Sequence, residues 1–252
     1  MHIVVIHGWQ QETEELVRAV AGALGLSAFE ARQRMIGGGP AVVATFADPQ
    51  QARELAAMLN RSGMEALAID VTALRSGTGH FIVRRFAFGE RSLRIESADG
   101  RSIEIPYREI DLILPGTSIS GHSETVTVTE RKLSLGKTLL SGGIPITKSV
   151  ERQEEVKTEE SEKVLYVYAG NRPQVVFRQN AMTYDGFGAE MKMSRELNFA
   201  YLTGELRRLS PGALFDDRLL NRNGQVRLLG PAQRLERNLD LAAEVLARSL
   251  RR

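Results

Sequence analysis

Cysteine is missing from all 252 residues, and its absence excludes disulfides, thiolate zinc sites and cysteine nucleophiles. A reducing compartment fits, so the expected address is cytoplasmic. No apolar run approaches the roughly 18 to 20 residues that span a bilayer. The chain enters the strand-like run Ile3-Val4-Val5-Ile6 with no basic region and apolar stretch ahead of it, so a signal peptide is not expected. A strong charge of one sign is also lacking. The formal net charge is +2, too small to point to nucleic acid as a partner. Lysine is absent before Lys132 and confined to Lys132 through Lys192, while the last stretch is arginine-rich, with Arg218, Arg222, Arg227 and Arg234 among others.

Catalytic patterns fail one by one. His7-Gly8-Trp9 after a strand imitates an oxyanion-hole turn, but that chemistry also needs a nucleophile elbow. The nearest candidate, Gly116-Thr117-Ser118-Ile119-Ser120-Gly121, has one residue too many and is expected in a loop. Gly136-Lys137-Thr138 ends like a phosphate loop, yet Arg131 stands where its upstream glycine belongs. Gly37-Gly38-Gly39 follows a helix and leads into a strand, the reverse of the dinucleotide order. No two of His2, His7, His80 and His122 have the spacing that puts two ligands on one helix face. Asp216 and Asp217, next to Arg218, read as a turn or local ion pair. The expectation is therefore no catalytic residue, no cofactor and no metal ligand.

What is present is globular, with 42% hydrophobic residues and a length suited to two domains. After the first strand, Leu16, Val17, Val20, Ala21 and Leu24 recur at helical spacing and Gly25 stops the helix. Ser27-Ala28-Phe29-Glu30 forms a capping box for a second helix, which the glycine run and Pro40 end before a β-rich Ala41–Phe46. Asp48-Pro49 opens a third helix with Ala52, Leu55, Ala56 and Leu59 on its apolar face. Gly63 ends it, and Glu65 to Val71 closes the unit as a strand. Residues 1–72 thus read β-α-α-β-α-β.

The stretches GLGLSAFEARQRM and VVATFADPQQARELAAMLNRSGMEALAID resemble the fold shared by the C-terminal domain of the bacterial ribosomal stalk protein and the N-degron adaptor of the Clp protease. Both families are binding modules, so the resemblance implies binding in place of catalysis. This chain lacks the stalk domain's lysine-rich helix surface. It also has His7-Gly8-Trp9 where the adaptor carries an Asn-Asp pair. The fold alone carries over, and no binding residue does.

Residues 73–79 read as a linker, and a mostly β unit is expected over 80–252. Phe81–Phe88, Ser92–Ser97, Ser102–Pro106 and Ile110–Leu114 alternate like a meander, with a hairpin turn at Ala98-Asp99-Gly100. The run SLRIESADGRSIEIPYREIDLIL resembles the opening strands of bacterial pleckstrin-homology-like barrels. A mobile insertion is expected near 117–163, where Gly, Ser and Thr give way to alternating charges. Strands resume over Val164–Ala169 and Pro173–Gln179. Ser194 then caps a helix with Leu197, Ala200, Tyr201 and Gly204 on one face. A last amphipathic helix carries Leu235, Leu239, Ala242, Ala243, Leu246 and Leu250. The fold class expected is α+β. Protein–protein interaction, or an adaptor role, is the function these features favour. A weak contact with membranes or anionic ligands through the pleckstrin-like part, and an enzyme with a dispersed site, are the alternatives.

Overall fold

Every side chain from Ile3 to Ile6 is fully buried, which a strand achieves only when both faces of its sheet are covered. The structure, a computed structural model, describes residues 1–9, 11–72, 80–133, 147–230 and 238–251, with the backbone alone over 120–133 and 147–160. Strand β1 (His2–His7) lies between β2 (Ala41–Phe46) and β3 (Glu65–Asp70) in a three-stranded antiparallel sheet. Helices α1 (Glu14–Leu24), α2 (Ala28–Met35) and α3 (Pro49–Arg61) cover one face, where Val4 and Ile6 meet Val17, Met35, Leu55 and Leu59. Local chemistry starts these helices. Ser27 Oγ accepts from the Glu30 amide at 3.2 Å while Glu30 Oε2 accepts from the Ser27 amide at 2.9 Å, and Asp48 Oδ1 accepts from the Gln50 amide at 2.8 Å.

The linker read at 73–79 lies outside the described residues. Beyond it, β4 (His80–Phe88), β5 (Ser92–Ser97), β6 (Ser102–Pro106), β7 (Ile110–Leu133), β8 (Thr147–Ala169), β9 (Gln174–Arg178) and β10 (Leu214–Phe215) form a seven-stranded sheet in the order β10-β7-β8-β9-β4-β5-β6. β4 pairs with β9, and β7 with β10, in parallel; β4–β5, β5–β6 and β8–β9 are antiparallel. With helices and both kinds of sheet, the class is α+β.

Alternation along β8 sorts its side chains into two cores. Leu165, Val167 and Ala169 join Val175, Phe177 and Phe86 under α4 (Arg195–Leu209). Ser194 caps α4, accepting from the Leu197 amide at 3.2 Å. The buried stripe of α4 differs from the expected one: Asn198, Phe199, Leu202 and Leu206 face the core, and Leu197 is 56% exposed. Asn198 masks this stripe in the sequence. Its buried amide is satisfied locally, with Nδ2 donating to the Lys192 and Ser194 carbonyls at 2.9 Å and Oδ1 accepting from the Lys192 amide at 2.8 Å.

Helix α5 (Arg222–Leu229) follows, and α6 (Leu239–Leu250) fills the second core. On α6, Leu239, Leu241, Ala242, Ala243, Val245, Leu246 and Ala247 are all buried. They share one cluster with Ile3, Val5 and Ile69 of the first sheet, with Val71 just after β3, and with Leu112, Leu114, Val164, Tyr166 and Tyr168 of the second. One helix therefore closes the remaining face of both sheets. A fully buried leucine contributes roughly 1.5–3 kcal/mol, so the sheets are coupled through α6.

The segment 117–163, read from the sequence as a mobile insertion, is entered from both ends by strand. β7 continues to Leu133 and β8 starts at Thr147. Ile119–Ser161 forms a compact unit of its own, apart from the one made of Met1–Ser118 and Glu162–Arg252. The alternating β-branched run Thr125-Val126-Thr127-Val128-Thr129 accounts for the strand, because such residues favour extended backbone. Gly116–Gly121 accordingly lies within β7 and not in a loop. Gly136-Lys137-Thr138 lies outside the described residues.

Candidate functional site

The outer strands of the three-stranded sheet differ in charge. β3 carries Glu65 and Asp70, whereas β2 reads Ala41-Val42-Val43-Ala44-Thr45-Phe46 with no charge at all. An uncharged edge rich in β-branched residues is a template for another strand unless something blunts it. Two local features act here. The β1–β2 register shifts between Val4 and Val5, opposite Val43, and Arg34 of α2 donates its guanidinium to the Val43 carbonyl.

Around this strand the chain builds a shelf from distant segments. Trp9 Nε1 donates to the Met35 carbonyl at 3.1 Å, holding the end of α2. The Trp9 ring packs so closely on Gly39 that a Cβ there would lie 2.5 Å from it, and Gly39 has φ +51°. Arg218 donates to the Gly39 carbonyl while its fork grips Asp216 at 2.6 and 2.9 Å. Asn221 caps α5 by accepting from the Gly224 amide at 2.8 Å, and a Cβ on Gly224 would stand 2.0 Å from the Arg218 carbonyl oxygen. Buried Gln225 donates to the carbonyls of Thr117 and Leu219 at 2.9 and 2.7 Å. These bonds fix α5 beside β2.

Two apolar clefts result, meeting at Arg34, Val43 and Ala44. The larger, about 780 Å³, is bordered by Ile36, Val42, Val226 and Leu229. The smaller, about 270 Å³, is bordered by Leu24, Leu26, Phe46 and Leu55. Ile36 and Val226 are 43% and 37% exposed. Charge in the larger cleft comes from Arg34, Arg227 and Glu30. Glu30 is occupied: hydrogen bonds from the Ser27 amide and hydroxyl hold its carboxyl below the usual range, with the charge of Arg34 adding to the effect. Among the described residues Arg227 has no carboxylate partner, and it also borders a polar cleft of about 380 Å³ against Gly37 and Asn223.

Another cleft, about 860 Å³, runs along β3 and is of another kind. Its charged side chains are all paired, Asp111 with Arg251 at 2.9 Å, Glu244 with Arg248 at 2.6 Å and Arg172 with Glu109 at 2.9 Å. Leu112 and Ala247 of this cleft belong to the same core as Tyr166 and Tyr168, whose hydroxyls burial pushes far above the ordinary tyrosine range.

The residues weighed from the sequence do not converge. His7 stands 3.3 Å from Glu65 and His2 3.9 Å from Asp70 across the β1–β3 pair, while His80 begins β4 beside Gln174. The side chain of His122 is outside the described set. Asp216 pairs with Arg218, and Asp217 precedes a short 3-10 turn. Among the described residues no group of three or more His, Cys, Asp or Glu side chains could hold a metal ion, and no helix is long and apolar enough to cross a membrane. Comparison with protein families, with curated proteins and with solved structures finds no match to this chain.

The shelf residues Arg34, Ile36, Val226 and Arg227 carry no motif. One signal was available, the lack of any charge in Ala41–Phe46, but its meaning depends on β2 being an edge strand, which only the topology gives.

Proposed function

We propose that this chain is a non-catalytic protein-interaction or adaptor protein whose partner meets the β2 face of residues 1–72. The observation that carries the reading is the uncharged edge strand β2 lying between two apolar clefts. Recognition by strand addition uses such an edge for affinity and flanking pockets for side-chain choice. The stalk-domain-like and adaptor-like reading of the head belongs to the same proposal, as does the pleckstrin-like reading of the mostly β part, residues 80–252, and a cytoplasmic setting. A second reading, contact with an anionic membrane, draws on exposed Met191, Met193 and Leu197 beside Lys192 and Arg195. Glu190 and Glu196 in the same segment oppose it.

Photo-crosslinking in the native cell tests the first reading, with the reactive side chain at Ile36 and, as a comparison, at Met193. A protein joined stoichiometrically from Ile36, and recoverable as a complex without crosslinking, is the expected result. Lipid adducts from Met193 with no protein from Ile36 would replace this reading with the second.

A further inference from the structure

We infer that the β2 groove takes an extended peptide segment that alternates apolar and acidic residues and joins the sheet as a fourth strand. This inference rests on the interaction reading above and names the chemistry of the partner. Three features carry it. β2 is the end strand in the order β2-β1-β3, so its outer backbone edge has no strand beside it among the described residues. The clefts on either side of Arg34 are apolar and differ in size, about 780 and 270 Å³, so they accept side chains of different bulk. The larger cleft carries a net positive charge, because Arg34 and Arg227 outnumber the ionised Glu30 and Arg227 has no carboxylate partner among the described residues.

Arg34 links these features. Its guanidinium donates to the Val43 carbonyl, the position a backbone amide of an added strand would occupy. An incoming amide that takes over this carbonyl satisfies it equally, and the released guanidinium is then free to pair with a carboxylate of the incoming segment. A pair with a carboxylate, of opposite charge and open to bidentate bonding, is stronger for an arginine than a bond to a neutral carbonyl, so exchange favours an acidic strand. A basic strand would meet Arg34 and Arg227 and be repelled.

The same residue argues against a second copy of this chain as the occupant. Val43 is near the middle of β2, so antiparallel pairing of two β2 strands about a two-fold axis would bring two Arg34 side chains together at the axis. At the α5 end Gly230 borders the cleft beside Val42, where a side chain on it would already touch the Val42 carbonyl, so little room is left there for a further strand. The segment is therefore held mainly along Val43 to Phe46.

Fluorescence anisotropy with labelled synthetic peptides tests this on the full chain. The probes are a peptide of alternating valine and glutamate, one of alternating valine and lysine, and the glutamate peptide with N-methylated backbone amides. The glutamate peptide is expected to bind at least tenfold more tightly than the lysine peptide, and N-methylation to abolish binding. Arg34→Glu is expected to equalise or invert the preference, and Arg227→Glu to reduce it. Thermal melts check that the variants fold, and Arg34→Gln, which removes charge without reversing it, replaces Arg34→Glu if that variant does not. Equal binding of the two charged peptides, or undiminished binding of the N-methylated one, overturns the inference. Binding of no peptide while a protein partner is still captured from Ile36 overturns the inference and leaves the interaction reading standing. A species of twice the mass in sedimentation, lost on substitution in β2, would make a second copy the occupant and overturn it as well.

Discussion

Tyr166 on β8 donates its phenolic hydrogen to Asp240 Oδ1 on α6 at 2.7 Å, within the core that joins the two sheets. Its hydroxyl is held neutral chiefly by burial, with the Asp240 charge adding to the effect, and burial does the same for Tyr168. In the unfolded chain a tyrosine ionises near pH 10. Both groups therefore keep in the folded state a proton that the unfolded state loses above that pH. Their contribution is complete below about pH 10 and falls as pH rises further, by roughly 1.4 kcal/mol per pH unit for each tyrosine. Urea unfolding between neutral pH and pH 11.5 should show this loss. Tyr166→Phe should cost about 1–3 kcal/mol at neutral pH and make the alkaline decline shallower by one tyrosine. An unchanged alkaline slope in that variant would contradict the assignment.

Leu246 is fully buried where α6 meets both sheets. Leu246→Ala should cost about 2–5 kcal/mol, lowering the melting of the β2-β1-β3 sheet and of the seven-stranded sheet together. Native-state hydrogen exchange reads the two sheets separately. Loss of protection in one sheet alone would mean that α6 does not couple them.

A fragment of residues 1–72 contains its own capped helices and the α1–α3 core, which favours independent folding. It also uncovers Ile3, Val5, Ile69 and Val71, the face that α6 buries in the full chain. The expected result is native-like circular dichroism with binding of a hydrophobic dye and concentration-dependent association. A monomeric fragment that binds no dye and matches the full chain in stability would show that this face needs no cover.

Gly224 and Gly39 hold the shelf beside β2 by close approach. Gly224→Ala places a methyl against the Arg218 carbonyl, and Gly39→Ala places one against the Trp9 ring at a positive φ. Each should cost about 1–3 kcal/mol, seen in thermal melts, and each should weaken capture of a partner from Ile36. Wild-type stability in both would mean that the loop and α5 are not packed this way.

Local signals made much of the fold legible. The Ser27–Glu30 box, Asp48-Pro49, and the Asp99-Gly100 turn each act over a few residues, so α2, α3 and the β5–β6 hairpin could be read directly. Longer-range facts could not. The parts of β7 and β8 between Ile119 and Ser161 are framed by Gly, Ser and Glu that hide the Thr125–Thr129 alternation. α5 is only eight residues long and contains Gly224, so its helical period is weak, and its stability comes from Gln225 and Leu228 packing on distant strands. The periodicity of α6 was plain, but that it serves two sheets at once follows from topology. The candidate site was illegible for the same reason: Arg34 and Val226 are far apart in sequence and gain meaning only when β2 becomes an edge between them.

Hydrogen–deuterium exchange of the full chain, with and without the alternating valine–glutamate peptide, tests the β2 account most directly. The account predicts new protection confined to the amides within Val43–Phe46, with Glu65–Asp70 on the opposite edge unchanged. Protection along Glu65–Asp70 in its place would move the site to the β3 cleft and contradict it.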